Sequence, residues 1–310
     1  MSNGHYWLSE FRALNTGIKA CIYCSEHQFS NLIPEVQDWF VHVDRKFSRF
    51  LPDSELTTLN GSKGKAVLVS AAMLEVIELA EYYKKKTNGI FNPLILQALE
   101  SAGYSQSYEL IKHGCQLTKT PSMPESEDIY IDSSMKTVRL GPDHKLDLGG
   151  IVKGWSVDRI SVWLKNEWHI NRGMINAGGD LFVWSDSSDL EPWTIEIRNP
   201  LNPKQGTERL SLYRGAIATS SVLGRQWKTS TGQMHHLIDP RTMLPSQSDI
   251  IQCTVIGSNT TDCEIAAKVV CILGSEEGTE WLMNQYPDVQ SICYTSAGDK
   301  HFIGNPCLLK

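Results

Sequence analysis

A chain of 310 residues, 41% hydrophobic and 21% charged, has the make-up of a folded globular protein with room for one large domain or two ordinary ones. That mix excludes disorder, collagen and coiled-coil rods. With 29 Lys+Arg against 35 Asp+Glu the net charge is −6, so no basic footprint calls for nucleic acid. A phosphate-bearing ligand would have to be held locally, by a few placed groups.

In chain order, residues 17–23 read as an early strand. Val36, Trp39, Phe40, Val43 and Phe47 then recur at three and four, which is helical spacing. A second helix is better marked: Ser70 is its N-cap, Met73, Val76, Ile77, Ala80 and Tyr83 its buried stripe, and Asn88-Gly89 its end. Residues 129–132 and 137–140 predict a hairpin. Short strands follow at 181–184, 193–197, 209–212, 216–219, 250–256 and 290–294, with helices over about 151–167, 261–273 and 276–285. Most strand pairs lie too close for helical crossovers, so the pattern predicts an α+β fold of largely antiparallel sheet with packed helices. The expectation is one compact unit over residues 1–310, with two intertwined subdomains as the variant.

No stretch of about 18 apolar residues exists, so no membrane span is expected. The opening residues lack a basic flank followed by an apolar stretch, and no secretory signal is read there. Eight scattered cysteines read as reduced thiols of a cytoplasmic protein. Cys21 and Cys24 form one CxxC without the second pair that a structural zinc needs.

Five stretches carry candidate chemistry. Lys145-Leu-Asp147-Leu-Gly149-Gly150-Ile-Val-Lys153-Gly154 is read as ending a strand and opening a helix, where bare backbone and a lysine could meet an anion. The alternative is a tight turn with a surface lysine. Ile175-Asn176-Ala177-Gly178-Gly179-Asp180 offers a second run of bare backbone, or is simply a turn or bulge. Ala216-Ile217-Ala218-Thr219-Ser220-Ser221 is a strand ending in hydroxyls that line a pocket or merely cap a loop. His235-His236-Leu237-Ile238-Asp239-Pro240-Arg241 combines a possible base with charge, or is a strand entering a turn with Arg241 on Asp239. Glu264 and Lys268, four apart on a helix, would by themselves make an exposed salt bridge.

Taken together, these stretches resemble the ApbE family, the FAD:protein FMN transferases, from about Phe11 to Gly274. Phe47-Ser-Arg-Phe50, Ser54-Glu-Leu, Asn60 and Thr87-Asn-Gly-Ile-Phe91-Asn92-Pro93 extend the match. The resemblance implies an enzyme that binds FAD with a magnesium ion on its pyrophosphate. It would move the FMN half onto a Thr or Ser hydroxyl of an acceptor flavoprotein and release AMP. A carrier or sensor of FAD, or an FAD pyrophosphatase, is the alternative. It also implies FAD contacts at Leu14, Phe50, Phe91, Asn92, Asp147, Lys153 and Ile238, His236 as general base, and a magnesium-facing carbonyl at Gly150.

The sequence departs from the family pattern at several positions. Glu264 and Lys268 stand where the family has an Asp and a Thr as metal ligands. Phe91-Asn92-Pro93 replaces Phe-Asp-Pro, Leu14-Asn15-Thr16 replaces Met-Gly-Thr, and Ser221 replaces a glycine. A protonated lysine has donors and no acceptor, so it cannot coordinate magnesium. Two readings follow: the Lys268 ammonium takes the metal's place, held by Glu264, or a metal still binds through Asp262, Gly150 and waters.

Overall fold

The computed structural model describes residues 4–111, 129–186, 190–202, 207–230 and 232–304. The expected thiols Cys115 and Cys307 lie outside these residues. The described residues fall into two compact units, those within 1–42, 153–221 and 249–310 forming the first and those within 43–152 and 222–248 the second.

The first unit is built on one eight-stranded sheet, antiparallel throughout, as the short connections predict. Its order is His5–Ala13, Thr16–Cys24, Arg172–Ala177, Asp180–Ser185, Gly215–Ser221, Ile250–Gly257, Gln290–Thr295 and Lys300–Ile303. The strand Ile250–Gly257 is buried on both faces, with Gln252 and Thr254 as its buried polar residues. The helix Thr260–Leu273 packs over it and over Gly215–Ser221, and the helix Ser275–Gln285 packs on that helix.

Three strands of this sheet are absent from the sequence reading: His5–Ala13, Arg172–Ala177 and the edge strand Lys300–Ile303. His5–Ala13 turns Leu8 outward and Ser9 inward, which blurs its alternation. Arg172–Ala177 carries Gly173, and a Cβ there would run into the Trp184 ring. Tight packing, not turn chemistry, requires that glycine. Cys21 and Cys24 lie three apart on one strand, so their side chains leave opposite faces.

The second unit shows its caps plainly. Ser54 accepts from the Thr57 amide at the start of Glu55–Asn60, and Ser70 accepts from Met73 at the start of Ala71–Lys86. That second helix ends where expected: Asn88 and Gly89 turn left-handed, and the Gly89 amide returns to the Lys84 carbonyl at 2.8 Å. The hairpin Ile129–Asp132 and Thr137–Leu140 forms as predicted and gains the short strand Val67–Leu68. Ala98, Leu99, Tyr104, Trp227, Ile238 and Met243 share an apolar core.

The helix expected from Val36 starts ten residues earlier and runs over Glu26–Phe47 with Pro34 inside. Leu32, Val36, Phe40, Val43 and Phe47 are all buried along it, and that stripe outweighs the rung Pro34 removes.

Candidate active site

Lys153, Glu264 and Lys268 converge in the first unit. The helix Val152–Asn166 brings Lys153 and Gly154 against the start of Thr260–Leu273. A Cβ on Gly154 would sit 2.8 Å from the Thr261 Cα and 3.0 Å from the Thr260 carbonyl. Only glycine permits that approach. It also lets Glu264 reach across, where Oε2 accepts from the Gly154 amide at 2.8 Å. One turn further on, Asp158 accepts from the amides of Thr260 and Thr261, both at 2.9 Å, capping the second helix. Burial pushes the Asp158 carboxyl up, against the hydrogen bonds it accepts from Thr261 and Thr260.

The Lys153 ammonium donates to Glu264 Oε1 at 2.5 Å and to Asp180. Asp180 arrives from the glycine turn 177–180, which is a hairpin turn of the large sheet. Gly178 and Gly179 have φ of 68° and 102° there, and a Cβ on Gly178 would collide with the Thr16 side chain. Lys268 Nζ lies 3.7 Å from Glu264 Oε1. The pair expected to be an exposed bridge is therefore interior: the Glu264 side chain is 1% exposed and that of Lys268 16%. Burial alone would discharge Lys153, but Asp180 and Glu264 reverse this and hold it protonated above its ordinary range. Burial likewise opposes the charge on Glu264, yet Lys153 and Lys268 keep its carboxyl below the ordinary carboxylate value. Lys268 is pulled below the usual ammonium range by burial, with Glu264 acting against the shift.

Leu14 also belongs to the first unit, in the tight turn between its first two strands. Leu14 and Asn15 both adopt left-handed backbone, with φ of 53° and 54°.

Phe50, Phe91, Asn92, Asp147, Gly150, His236 and Ile238 belong to the second unit. Asp147 is fixed from two sides: Oδ1 accepts from the Gly149 amide at 2.9 Å and Oδ2 from Arg49 Nε at 2.8 Å. Its own amide donates to the Pro93 carbonyl, which ties it to the Phe91-Asn92-Pro93 stretch. Residues 141–149 are not a strand, contrary to the sequence reading. Asn60 instead clamps Leu146 with two hydrogen bonds, one to its carbonyl and one from its amide. Asn92 is buried, and its side-chain oxygen caps the turn that follows by accepting from Leu94. Gly150 sits in the turn that leads into the Lys153 helix.

Arg49 is a residue the sequence reading passed over. It stacks over Phe50 and Tyr104, with its guanidinium carbon 4.3 and 4.4 Å from their ring centres. It donates to the Tyr104 carbonyl, and its Nη2 is buried without a hydrogen bond among the described residues. Its place between two phenylalanine-rich motif positions was the available signal. Phe50 packs on the core that contains Ile238, so these two predicted contacts come together. Ile238 is 2% exposed and belongs to that core. His236 precedes it by two residues. His235 is engaged with the Ser246 carbonyl and the Leu237 amide, and burial lowers its pKa. Arg241 forks onto Asp239 as the bland reading of that stretch had it, and stands as a turn-closing pair.

The metal reading of Glu264 does not fit these residues. Both Glu264 oxygens and both Asp180 oxygens already face donors: Lys153, Lys268 and the amides of Gly154 and Thr219. Asp262 accepts from the Tyr286 phenol. No cluster of three or more His, Cys, Asp or Glu side chains suited to a metal occurs among the described residues.

The profile of the ApbE family matches residues 14–293. A protein named FAD:protein FMN transferase from Klebsiella pneumoniae (strain 342) is 25% identical over 255 residues, 80% of this chain and 77% of that protein. One of the same name from Treponema pallidum (strain Nichols) is 24% identical over 256 residues, covering 77% and 70%. Among solved structures, the ApbE protein of Thermotoga maritima superposes with a TM-score of 0.84 at 21% identity, covering 96% and 97% of the two chains. The flavin transferase ApbE of Vibrio cholerae gives 0.80 at 20% identity, covering 97% of each. The structural likenesses show the α+β fold, and the match over 14–293 makes the chain a member of the ApbE family.

Proposed function

We propose that this chain is an FAD:protein FMN transferase, acting on a Thr or Ser hydroxyl of an acceptor flavoprotein. The observation that carries the reading is the family match over 14–293, together with relatives that bear that name. In the reaction the hydroxyl oxygen attacks the phosphorus of the FMN half, the bond to the bridging oxygen breaks, and AMP leaves with that oxygen. His236 takes the hydroxyl proton. Lys153 stabilises negative charge as it builds on the pyrophosphate, held in place by Asp180 and Glu264. Asp147, Phe50, Phe91, Asn92, Ile238 and Leu14 are assigned to binding FAD. The saturated carboxylates give no support to a magnesium step.

Incubation with FAD and a candidate acceptor, followed by mass spectrometry of the acceptor, tests the proposal. An added FMN mass with matching AMP release supports transfer. AMP and free FMN without a modified acceptor would make the chain a pyrophosphatase, and binding without AMP a carrier or sensor. The closed ion set of Glu264 and Lys268 is the feature that favours this second reading. His236→Ala is expected to leave FAD affinity intact and to slow transfer by roughly 10²–10⁴-fold; unchanged turnover would remove its role as base. We place the reaction in the cytoplasm, a choice supported by the described cysteines, which are free thiols and all buried but Cys21. No described helix is long and apolar enough to cross a membrane.

A further inference from the structure

Lys268 is the most loosely held member of the ion set. Its ammonium comes no closer than 3.7 Å to Glu264 Oε1, and no hydrogen-bond acceptor meets it among the described residues. Its side chain is 16% exposed and that of Lys153 is 20%, whereas Glu264 and Asp180 are 1% and 3% exposed. The carboxylates thus lie beneath and the ammonium groups face the accessible side. Every carboxylate oxygen in the cluster is matched to a donor, while Lys268 has three N–H groups unspent. A divalent cation could enter only by displacing a lysine from its carboxylate. An anion would meet the two ammonium groups, which are the accessible members of the set.

We propose that Lys268, beside Lys153, is a built-in cationic seat for a phosphate oxygen of the bound dinucleotide, so that FAD binding needs no divalent metal. The proposal rests on the FAD reading above. One ammonium supplies a single positive charge and up to three hydrogen bonds, and its helix is anchored by the Asp158 cap and by Gly154 packing. Glu264, shared between the two lysines, keeps them side by side against their repulsion.

The test is calorimetry of the full chain with FAD, once in EDTA and once in excess magnesium. The expected result is the same Kd in both. Lys268→Gln should weaken FAD binding by roughly 10–100-fold in both buffers, the scale of one charge-assisted hydrogen bond, while Lys268→Arg should retain most of the affinity. Inorganic pyrophosphate should compete with FAD in the unmodified protein and lose that power in Lys268→Gln. Titration with manganese, read by electron paramagnetic resonance, should show no ion bound with FAD. Binding that vanishes in EDTA and returns with one bound ion overturns the proposal and leaves the FAD reading standing. Equal affinity in Lys268→Gln also overturns it. Absence of FAD binding in both buffers fells the FAD reading itself. The metal arms use the unmodified protein, so a variant that folds poorly does not leave the matter open.

Discussion

The two units bury their functional residues by opposite physics. In the first, Lys153, Asp180, Glu264 and Lys268 are interior charges, two of each sign, with Glu264 only 1% exposed. In the second, Tyr104, Trp227 and Ile238 are interior apolar surface with Phe50 packed against them, and the one guanidinium, that of Arg49, lies over Phe50 and Tyr104. A charge cluster is tolerable only while it closes on itself, since each ion taken from water costs several kcal/mol that only its partners return. An apolar cluster loses stability in proportion to the volume removed. The first arrangement is therefore all-or-none and sensitive to pH, and the second is graded and indifferent to it.

The largest expected effect comes from opening the ion set. Lys153→Met leaves Asp180 and Glu264 facing each other and should cost about 3–5 kcal/mol in urea unfolding at pH 7. The sign of the pH dependence separates this from ordinary damage. In the intact protein the Glu264 carboxyl titrates below its ordinary value of 4.5, so its stabilisation is full above that value and is lost as pH falls through the lower folded one. Lys153 is raised from 10.5, so its stabilisation is full below 10.5 and fades only as pH climbs through the higher folded value. Without Lys153 the buried carboxylates prefer the proton, and the deficit should shrink between pH 7 and pH 4. A deficit that stays constant over that window would break the picture of a closed ion set.

Trp227→Ala supplies the contrast. Trp227 is 1% exposed and donates its indole N–H to the Ala102 carbonyl at 2.6 Å. Its loss should also cost about 3–5 kcal/mol, unchanged from pH 4 to pH 7. Circular dichroism melts across that range would show a parallel offset; a pH-dependent gap would mean that titrating groups share this core.

Gly154→Ala is smaller and sharpens the comparison from inside the first unit. The new methyl meets backbone at 2.8 Å, which no side-chain rotation relieves. The helices must part, at about 1–3 kcal/mol, and Glu264 loses its hold on the Gly154 amide. FAD affinity should fall along with stability, because Lys153 and Lys268 are aligned through that carboxylate. A variant that melts early yet binds FAD normally would show that the alignment survives the helix shift.

How much of this was legible follows the same division. Caps and turns are local, so Ser70, Asn88-Gly89 and the hairpin at 129–140 were readable from a few residues each. The strand Arg172–Ala177 was not, because Gly173 answers to Trp184 across the sheet and breaks the local pattern. At the site, Lys153 and Glu264 lie 111 residues apart, and spacing alone gave Glu264 no partner except Lys268. Asp180 was in view only as the end of a glycine turn. Arg49 sits inside the Phe47-Ser-Arg-Phe50 motif, which marks its position, but its partners Asp147 and Tyr104 are distant in sequence, so the motif alone does not show what it holds.

The smallest expected effect lies in the turn at Leu14. A two-residue hairpin turn with both φ values positive favours Asn-Gly, and this chain places leucine and asparagine there, at 53° and 54°. A leucine held left-handed costs about 1–2 kcal/mol, whereas asparagine visits that region readily. Leu14→Asn should therefore raise stability by about 1 kcal/mol at most, visible as a rise of a few degrees in Tm. If Leu14 touches FAD, as the resemblance implies, the same variant should bind FAD more weakly even as it melts later. Opposite signs in the two measurements would mean that the turn keeps its strain for the ligand. A stabilised variant with unchanged FAD affinity would leave Leu14 an ordinary turn residue, and would take it off the list of contacts.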